Sequence, residues 1–315
     1  MTVTTVFDAA RVAETPGLTA AGACRAVWRL LKGTAVAAFR YRITGLAAEA
    51  AFFALVSLPP LVLGLIGTMG HLRGILGEPT VTEIREWTIA KSQTVLTGPA
   101  VHSVVVPLLN DVVKGGRVDI VSLSFLISLW AGSRAMNVYV DTITIAYGLS
   151  GVRGVIRTRT RAFFLYLVWL VVMIVVISLL VAGPALVKKA FPVTTGSVQL
   201  LYWPVIGAVS IVFLATLYHM SVPVRTAWWR EIPGAVVALL IWTLGSVGLR
   251  LYLSESVSGV SVYGSLSASI AILAWLYVAA IAVLIGAALN SEIDRTWPSA
   301  DTARIRAVRA AAPFV

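Results

Sequence analysis

Two side chains of opposite charge, Glu49 and Arg134, stand inside long apolar stretches of the sequence. An ionisable group in a membrane segment is costly unless it is paired or faces water. Glu49 lies five residues into one apolar run, and Arg134 lies seven residues before Asp141 at the end of another. Both are therefore expected at a similar depth, and we predict that they approach each other or line one cavity. The alternative is that each snorkels separately to the nearer membrane surface.

The same two runs carry further polar side chains and a pair of adjacent prolines. Ser124 and Ser128 are four residues apart and share a helix face. Proline lacks an N–H, and in hydrocarbon the carbonyl groups that it releases need other partners. A packed kink and a discontinuous helix that lines the cavity both fit these prolines. The candidate cavity residues are Glu49, Ser57, Pro59, Pro60, Ser124, Ser128, Arg134 and Asn137.

Motifs of catalysis and of metal binding are absent from the sequence. The three histidines are scattered without an HExxH pair, and one cysteine, Cys24, cannot form a metal cluster. The sequence has no GxxxxGK[ST] loop for a nucleotide and no GxSxG or SxxK motif for a serine nucleophile. Basic residues line loops with no aromatic-rich soluble domain beside them. We therefore expect no enzymatic activity, no cofactor, no metal and no nucleic-acid partner.

Composition indicates an all-α, polytopic membrane protein. Hydrophobic residues make up 58% of the 315 residues, charged residues make up 12%, and mean hydropathy is +0.90. Soluble domains carry about 25% charged residues. A membrane helix needs about 20 mainly apolar residues. Six such spans are predicted, at residues 44–68, 119–140, 162–182, 199–218, 233–252 and 263–289.

The distribution of Lys and Arg predicts that both termini are cytoplasmic. In that orientation the cytoplasmic segments hold 16 Lys and Arg residues, and the outer segments hold seven. Five of those seven lie in one long loop that also has four carboxylates. Such an excess marks the cytoplasmic side. The net charge of +11 also fits anionic lipid headgroups at the cytoplasmic face.

Two segments outside the spans have helical spacing. Residues 18–41 form a basic amphipathic pattern, which fits a helix on the inner leaflet or a cytoplasmic extension of the first span. Residues 71–118, the first extracytoplasmic loop, predict two short amphipathic helices. The expected organisation is a cytoplasmic segment (1–43), a six-helix membrane domain (44–292) and a basic tail (293–315).

Four stretches together resemble the YihY/BrkB family of bacterial inner-membrane proteins. They are AAEAAFFALVSLPPLVLGLIG, LWAGSRAMNVYVDTITIAYG, WWREIPGAVVALLIWTLGSVGLRLYL and VYGSLSASIAILAWLYVAAIAVLIGAALN. The last begins with the family's Tyr-Gly-Ser-Leu pattern at Tyr263 and ends with its Asn at Asn290, which adds both residues to the candidates. One position departs from the family, since Ala288 stands where a Glu is usual.

The resemblance implies a six-span fold in the bacterial inner membrane and a role in the cell envelope. Some members have been labelled a tRNA-processing ribonuclease, and others are linked to virulence and to lipid or lipopolysaccharide handling. We expect a transporter or lipid-handling protein with a polar intramembrane cavity. The alternatives are a scaffold that binds envelope proteins through its extracytoplasmic helices and, less favoured, a membrane-embedded enzyme.

Overall fold

Eight α-helices and one short 3₁₀ helix make up the described part of the chain. The structure, a computed structural model, describes residues 20–71, 86, 89, 106, 118–152, 154–190, 195–224, 226–256 and 267–311. The 3₁₀ helix, Trp228–Glu231, leads directly into α6. The α-helices are α1 (Ala20–Arg40), α2 (Ile43–His71), α3 (Val118–Ala146), α4 (Val155–Ala190), α5 (Thr195–Ser221), α6 (Ile232–Ser256), α7 (Ser267–Thr296) and α8 (Ala300–Ala311).

Helices α2 to α7 follow the six predicted spans in order, and the all-α prediction is confirmed for the described residues. Four helical segments among them are long and apolar enough to cross a membrane: Ile43–Leu61, Pro204–Ser221, Trp228–Tyr252 and Ser269–Thr296. Helix α4 has 36 residues, about 54 Å, which exceeds a hydrocarbon core of about 30 Å. The six-span count and the side that each end faces remain predictions.

Helix α3 is the centre of the bundle. It contributes to all three apolar clusters, through Val138 beside α2 and α7, Ile143 beside α5 and α6, and Val140 beside α4. Small residues let α6 and α7 approach closely, because a Cβ at Gly234 would lie 2.3 Å from the carbonyl oxygen of Gly286. Gly286 thus gives α7 a close helix–helix contact with α6.

Helix α1 is separate from the first span. It ends at Arg40, and a two-residue turn with Arg42 at φ 51° precedes α2. The segment predicted as an amphipathic helix at 18–41 is helical from Ala20 to Arg40, and a turn separates it from α2; its place on the inner leaflet stays a prediction. The helices predicted within 71–118 lie outside the described residues, apart from three helical positions at 86, 89 and 106.

The adjacent prolines do not interrupt α2, which is helical from Ile43 to His71. Pro59 is exposed, and it shares the outward face of the helix with Val56 and Phe52. Ser57 points inward and donates a hydrogen bond to the carbonyl of Ala54 at 2.7 Å. The hypothesis of a discontinuous helix is therefore wrong, because both prolines are accommodated within one helix.

Candidate functional site

Glu49 and Arg134 form an ion pair between α2 and α3. The distance between Arg134 Nη2 and Glu49 Oε1 is 3.6 Å, and the two side chains are 45% and 40% exposed. The Arg134 guanidinium also lies over the Phe53 ring, 5.4 Å from its centroid, as in a cation–π contact. The predicted approach of the two charges is confirmed, and they meet on the outer surface of the bundle.

Two more polar side chains of α3, Asn137 and Asp141, continue from this pair, and Arg159 of α4 lies beside them. Asn137 donates a hydrogen bond to Asp141 Oδ2 at 2.6 Å. Arg134, Arg159 of α4 and Glu49 all act electrostatically on the Asp141 carboxylate. We call Glu49, Arg134, Asn137, Asp141 and Arg159 the lateral charged strip. Its formal charges, two positive and two negative, sum to zero.

The strip faces sideways, towards the space that surrounds the bundle. Residues three or four apart on α3 share one face, and Ile127 and Trp130 are exposed on the same face as Arg134. The strip thus adjoins an apolar surface at one end and approaches the end of α3 at the other. The Nη1 atom of Arg159 is buried and has no hydrogen-bond partner among the described residues.

A second group of candidates lies inside the bundle. Ser57, Ser128 and Tyr166 are 5%, 0% and 3% exposed, and the Tyr166 hydroxyl lies beside the two serine hydroxyls. Ser128 and Tyr166 are beside one another without hydrogen-bonding geometry. Gly132 makes room for this tyrosine, since a Cβ there would lie 2.3 Å from the Tyr166 hydroxyl. These hydroxyls of α2, α3 and α4 therefore lie close together inside the bundle.

Asn290 belongs to a third group, the buried carboxylate network of Tyr147, Thr226, Glu231 and Asn290. The Glu231 carboxylate accepts hydrogen bonds from Tyr147 at 2.8 Å, Asn290 Nδ2 at 3.0 Å and Thr226 at 3.3 Å. Burial raises the pKa of the Tyr147 hydroxyl well above its usual value, and the adjacent Glu231 raises that pKa further. Tyr147 therefore stays protonated and keeps donating to the carboxylate.

Helix α8 closes the same end of the bundle. Arg306 Nη2 donates to the carbonyl of Tyr147 and to Asp294 Oδ2, each at 2.9 Å. Arg230 pairs with the other oxygen of Asp294 at 3.8 Å and donates to the carbonyl of Trp297. The recess among these residues and the buried carboxylate network has no space for a water molecule. This close packing is typical of a structural contact.

The structure therefore distributes the candidate residues over three places. Glu49, Arg134 and Asn137 lie on the lateral charged strip, Ser57 and Ser128 lie in the hydroxyl group, and Asn290 lies in the buried carboxylate network. Pro59 lies on the outer face, and Pro60 is half-buried next to it. Ser124 is in α3 with its side chain outside the described part, and Tyr263 lies outside the described residues. The candidate positions that the structure describes do not converge on one cavity.

Sequence reasoning missed Tyr166 in the second group and the acidic residues in and beside the third group. Tyr166 lies in a run so apolar that its single hydroxyl gave no signal. Glu231 and Asp294 did offer one, because each is an acidic residue at the end of an apolar run. Ala288, where the family usually has Glu, is fully buried in the apolar cluster of α1, α2, α3 and α7. In the described residues, no three His, Cys, Asp or Glu side chains are placed to hold a metal ion.

Comparison with known proteins identifies several relatives by sequence. The chain is 24% identical to a ribonuclease-like protein, YfkH, of Bacillus subtilis over 254 residues, 79% of this chain and 89% of that protein. It is 24% identical to a UPF0761 membrane protein of Nitrosospira multiformis over 287 residues, 84% of this chain and 62% of that protein. A UPF0761 membrane protein of Stenotrophomonas maltophilia is 37% identical over 79 residues, 25% of this chain and 19% of that protein.

The chain spans less than two thirds of the length of the UPF0761 relatives that it matches. No solved structure matches the chain significantly. The family model described as virulence factor BrkB matches residues 36–311, which include every helix from α2 to α8. The resemblance seen in the four sequence stretches is thereby confirmed, and the chain belongs to the BrkB family of membrane proteins.

Proposed function

We propose that the chain is a multi-pass protein of the bacterial cytoplasmic membrane that handles lipids without an enzymatic step, and that the lateral charged strip receives the lipid headgroup. The main support for this proposal is the exposed Glu49–Arg134 ion pair on the outer surface of α2 and α3. Lipid headgroups reach a membrane protein from the side, so a lateral charged surface is accessible to them without an internal cavity.

The proposed topology has six spans with both termini in the cytoplasm. The described parts of the N- and C-terminal segments support it, since they meet at one end of the bundle. Arg295 of α7 donates to the Tyr41 hydroxyl between α1 and α2, and Arg306 of α8 donates to the carbonyl of Tyr147. This end holds the Arg-rich segments, so the positive-inside rule assigns it to the cytoplasm.

The charges of the strip match a zwitterionic headgroup. Guanidinium groups bind phosphate oxygens through parallel hydrogen bonds, and the strip holds two guanidiniums, the exposed Arg134 and the partly buried Arg159. Glu49 and Asp141 can in turn accept hydrogen bonds from an ammonium group. Phosphatidylethanolamine carries both charges, whereas phosphatidylglycerol would leave the two carboxylates without an ammonium partner. We therefore propose phosphatidylethanolamine as the preferred class of lipid.

The ion pair also gives Glu49 a role in release. At 3.6 Å from Arg134, the Glu49 carboxylate competes with a lipid phosphate for the same guanidinium. Removing its charge should strengthen phosphate binding at Arg134 and slow release of the phosphate. Because the ammonium group of phosphatidylethanolamine loses a carboxylate partner in the same variant, Glu49→Gln is expected to shift the binding preference from phosphatidylethanolamine towards phosphatidylglycerol.

The test is transbilayer movement of fluorescent phosphatidylethanolamine in vesicles that contain the purified protein. Losing one charge-assisted contact of about 1.5–3 kcal/mol predicts a fall of about tenfold to 100-fold in rate for Arg134→Ala. Arg250→Ala is the matched control, because Arg250 is also exposed on a helix but lies in α6, away from the strip. The proposal would be refuted if the lipid crossed vesicles with the wild-type protein no faster than protein-free vesicles. It would also be refuted if the rate with Arg134→Ala equalled the rate with Arg250→Ala.

A further inference from the structure

Helix α1 has three distinct faces. At about 100° per residue, its buried face is centred on Thr34 and Ala37, which pack against the bundle. A second face is exposed and apolar: Val27, Trp28, Leu31, Ala35 and Phe39. A third face is exposed and mostly basic: Arg25, Arg29, Lys32 and Arg40, with Val36 as its apolar exception.

The exposed apolar face is large for a helix outside the spans. Trp28 is 68% exposed and Phe39 is 85% exposed. The apolar and basic faces adjoin each other, covering sectors of about 120° and about 80° around the helix. A helix of this kind, with an aromatic apolar face beside Lys and Arg, lies in the interface plane of a membrane and binds anionic headgroups.

Helix α1 is held against the end of α7. Gly33 lies against the Glu292 side chain of α7, and Tyr41, just after α1, receives a hydrogen bond from Arg295. Both partners lie in the last two turns of α7, which ends at Thr296. The Arg-rich end of the bundle therefore positions α1, while the apolar and basic faces of α1 stay exposed.

We infer that α1 docks on the anionic lipid surface of the bilayer, with its apolar face in the acyl-chain boundary and its basic face at the headgroups. Charge complementarity selects this occupant, because the basic face adjoins the apolar face and the Arg-rich end of the bundle continues it. The surface is distinct from the lateral charged strip on α2, α3 and α4. Docking therefore does not depend on the lipid-handling proposal.

The inference is tested with spin labels on the full-length protein in vesicles. A Cys24→Ser background removes the single native cysteine, and labels are then placed by Leu31→Cys and Ala35→Cys on the apolar face. Val36→Cys is the matched control, because it is next to Ala35 in sequence but lies on the basic face. In vesicles with phosphatidylglycerol, labels at 31 and 35 should meet dissolved oxygen more often than a water-soluble nickel complex, and the label at 36 should show the reverse.

Charge dependence is tested by Arg29→Gln combined with Lys32→Gln in the same labelled proteins. The labels at 31 and 35 should become more accessible to nickel in this variant, and also in vesicles made of phosphatidylcholine alone. Equal nickel access at 31, 35 and 36 with phosphatidylglycerol would overturn the docking. If the nickel accessibility of the labels at 31 and 35 changed neither with phosphatidylglycerol content nor with the two Gln substitutions, the anionic-lipid assignment would be overturned. Dipolar broadening between labels at 31 would assign the face to a second copy of the chain instead.

Discussion

Asn290 is predicted to be a stability determinant, because its side chain makes three buried hydrogen bonds at once. Its Nδ2 donates to the carboxylate and to the backbone carbonyl of Glu231, each at 3.0 Å. Its Oδ1 accepts a hydrogen bond from the backbone N–H of Gly234 at 2.8 Å. Asn290→Ala therefore removes a donor to a buried carboxylate and leaves the Gly234 N–H without a partner.

The magnitude follows from these contacts. Losing a hydrogen bond to a charged group costs about 1.5–3 kcal/mol, and a buried donor without a partner costs about 1–3 kcal/mol. We expect Asn290→Ala to lower the free energy of unfolding by about 3–5 kcal/mol. Asn137→Ala is the matched control, since Asn137 also donates to a carboxylate but is half-exposed; its cost should be about 1 kcal/mol or less.

The assay is reversible unfolding of both variants in mixed micelles of mild detergent and dodecyl sulfate, followed by circular dichroism. The measured quantity is the difference in free energy of unfolding from the wild-type protein. If Asn290→Ala costs no more than Asn137→Ala, the buried carboxylate network does not hold the end of the bundle as its geometry requires. The same outcome would reopen Asn290 as a residue that contacts a ligand.

Three further predictions concern packing, the C-terminal helix and pH. Gly286→Ala should destabilise the protein by about 1–3 kcal/mol in the same assay, because a Cβ there would lie 2.4 Å from the carbonyl oxygen of Gly234. Gly248→Ala is the control and should not destabilise the protein, because no atom lies within 4 Å of a Cβ at that position. Arg306→Ala should speed limited proteolysis of α8 through loss of its bonds to Asp294 and Tyr147, and the exposed Arg304 provides the control substitution; equal cleavage rates would contradict the role of Arg306. Because the pKa of Tyr147 is raised in the folded protein, its contribution to the free energy of unfolding is fully present below the unfolded-state pKa of about 10. That contribution is lost as pH rises through the higher folded-state pKa. Tyr147→Phe should lose less stability than the wild-type protein over that rise, and parallel pH profiles would refute the assignment.

The sequence was most informative where physical constraints act along a single helix. Runs of apolar residues located all six long helices, because a membrane helix must satisfy its backbone internally. The depth of Glu49 and Arg134 within their runs was enough to pair them across two helices. The regular spacing of basic and apolar residues also predicted α1, because residues that recur every three or four positions share one face of a helix.

The sequence was least informative where residues distant in the chain meet in three dimensions. Tyr147 and Glu231 are 84 positions apart and contact each other because the end of α3 and the start of α6 lie at the same level of the bundle. No local pattern encodes that meeting, so Asn290 was assigned to a cavity instead of to this network. The adjacent prolines misled for another reason, since α2 continues through them, and Ser57, just before them, donates a hydrogen bond to the carbonyl of Ala54.

The central claim is that the lateral charged strip binds a phospholipid headgroup, and photocrosslinking in native membranes tests it most directly. A photoactivatable amino acid at position 137 would sit within the strip, beside Asp141 and on the same face as Arg134. We predict a phosphatidylethanolamine adduct, identified by mass spectrometry, that is lost in Arg134→Ala and retained in Arg250→Ala. Absence of a lipid adduct, or an adduct of equal yield in Arg134→Ala, would contradict the claim.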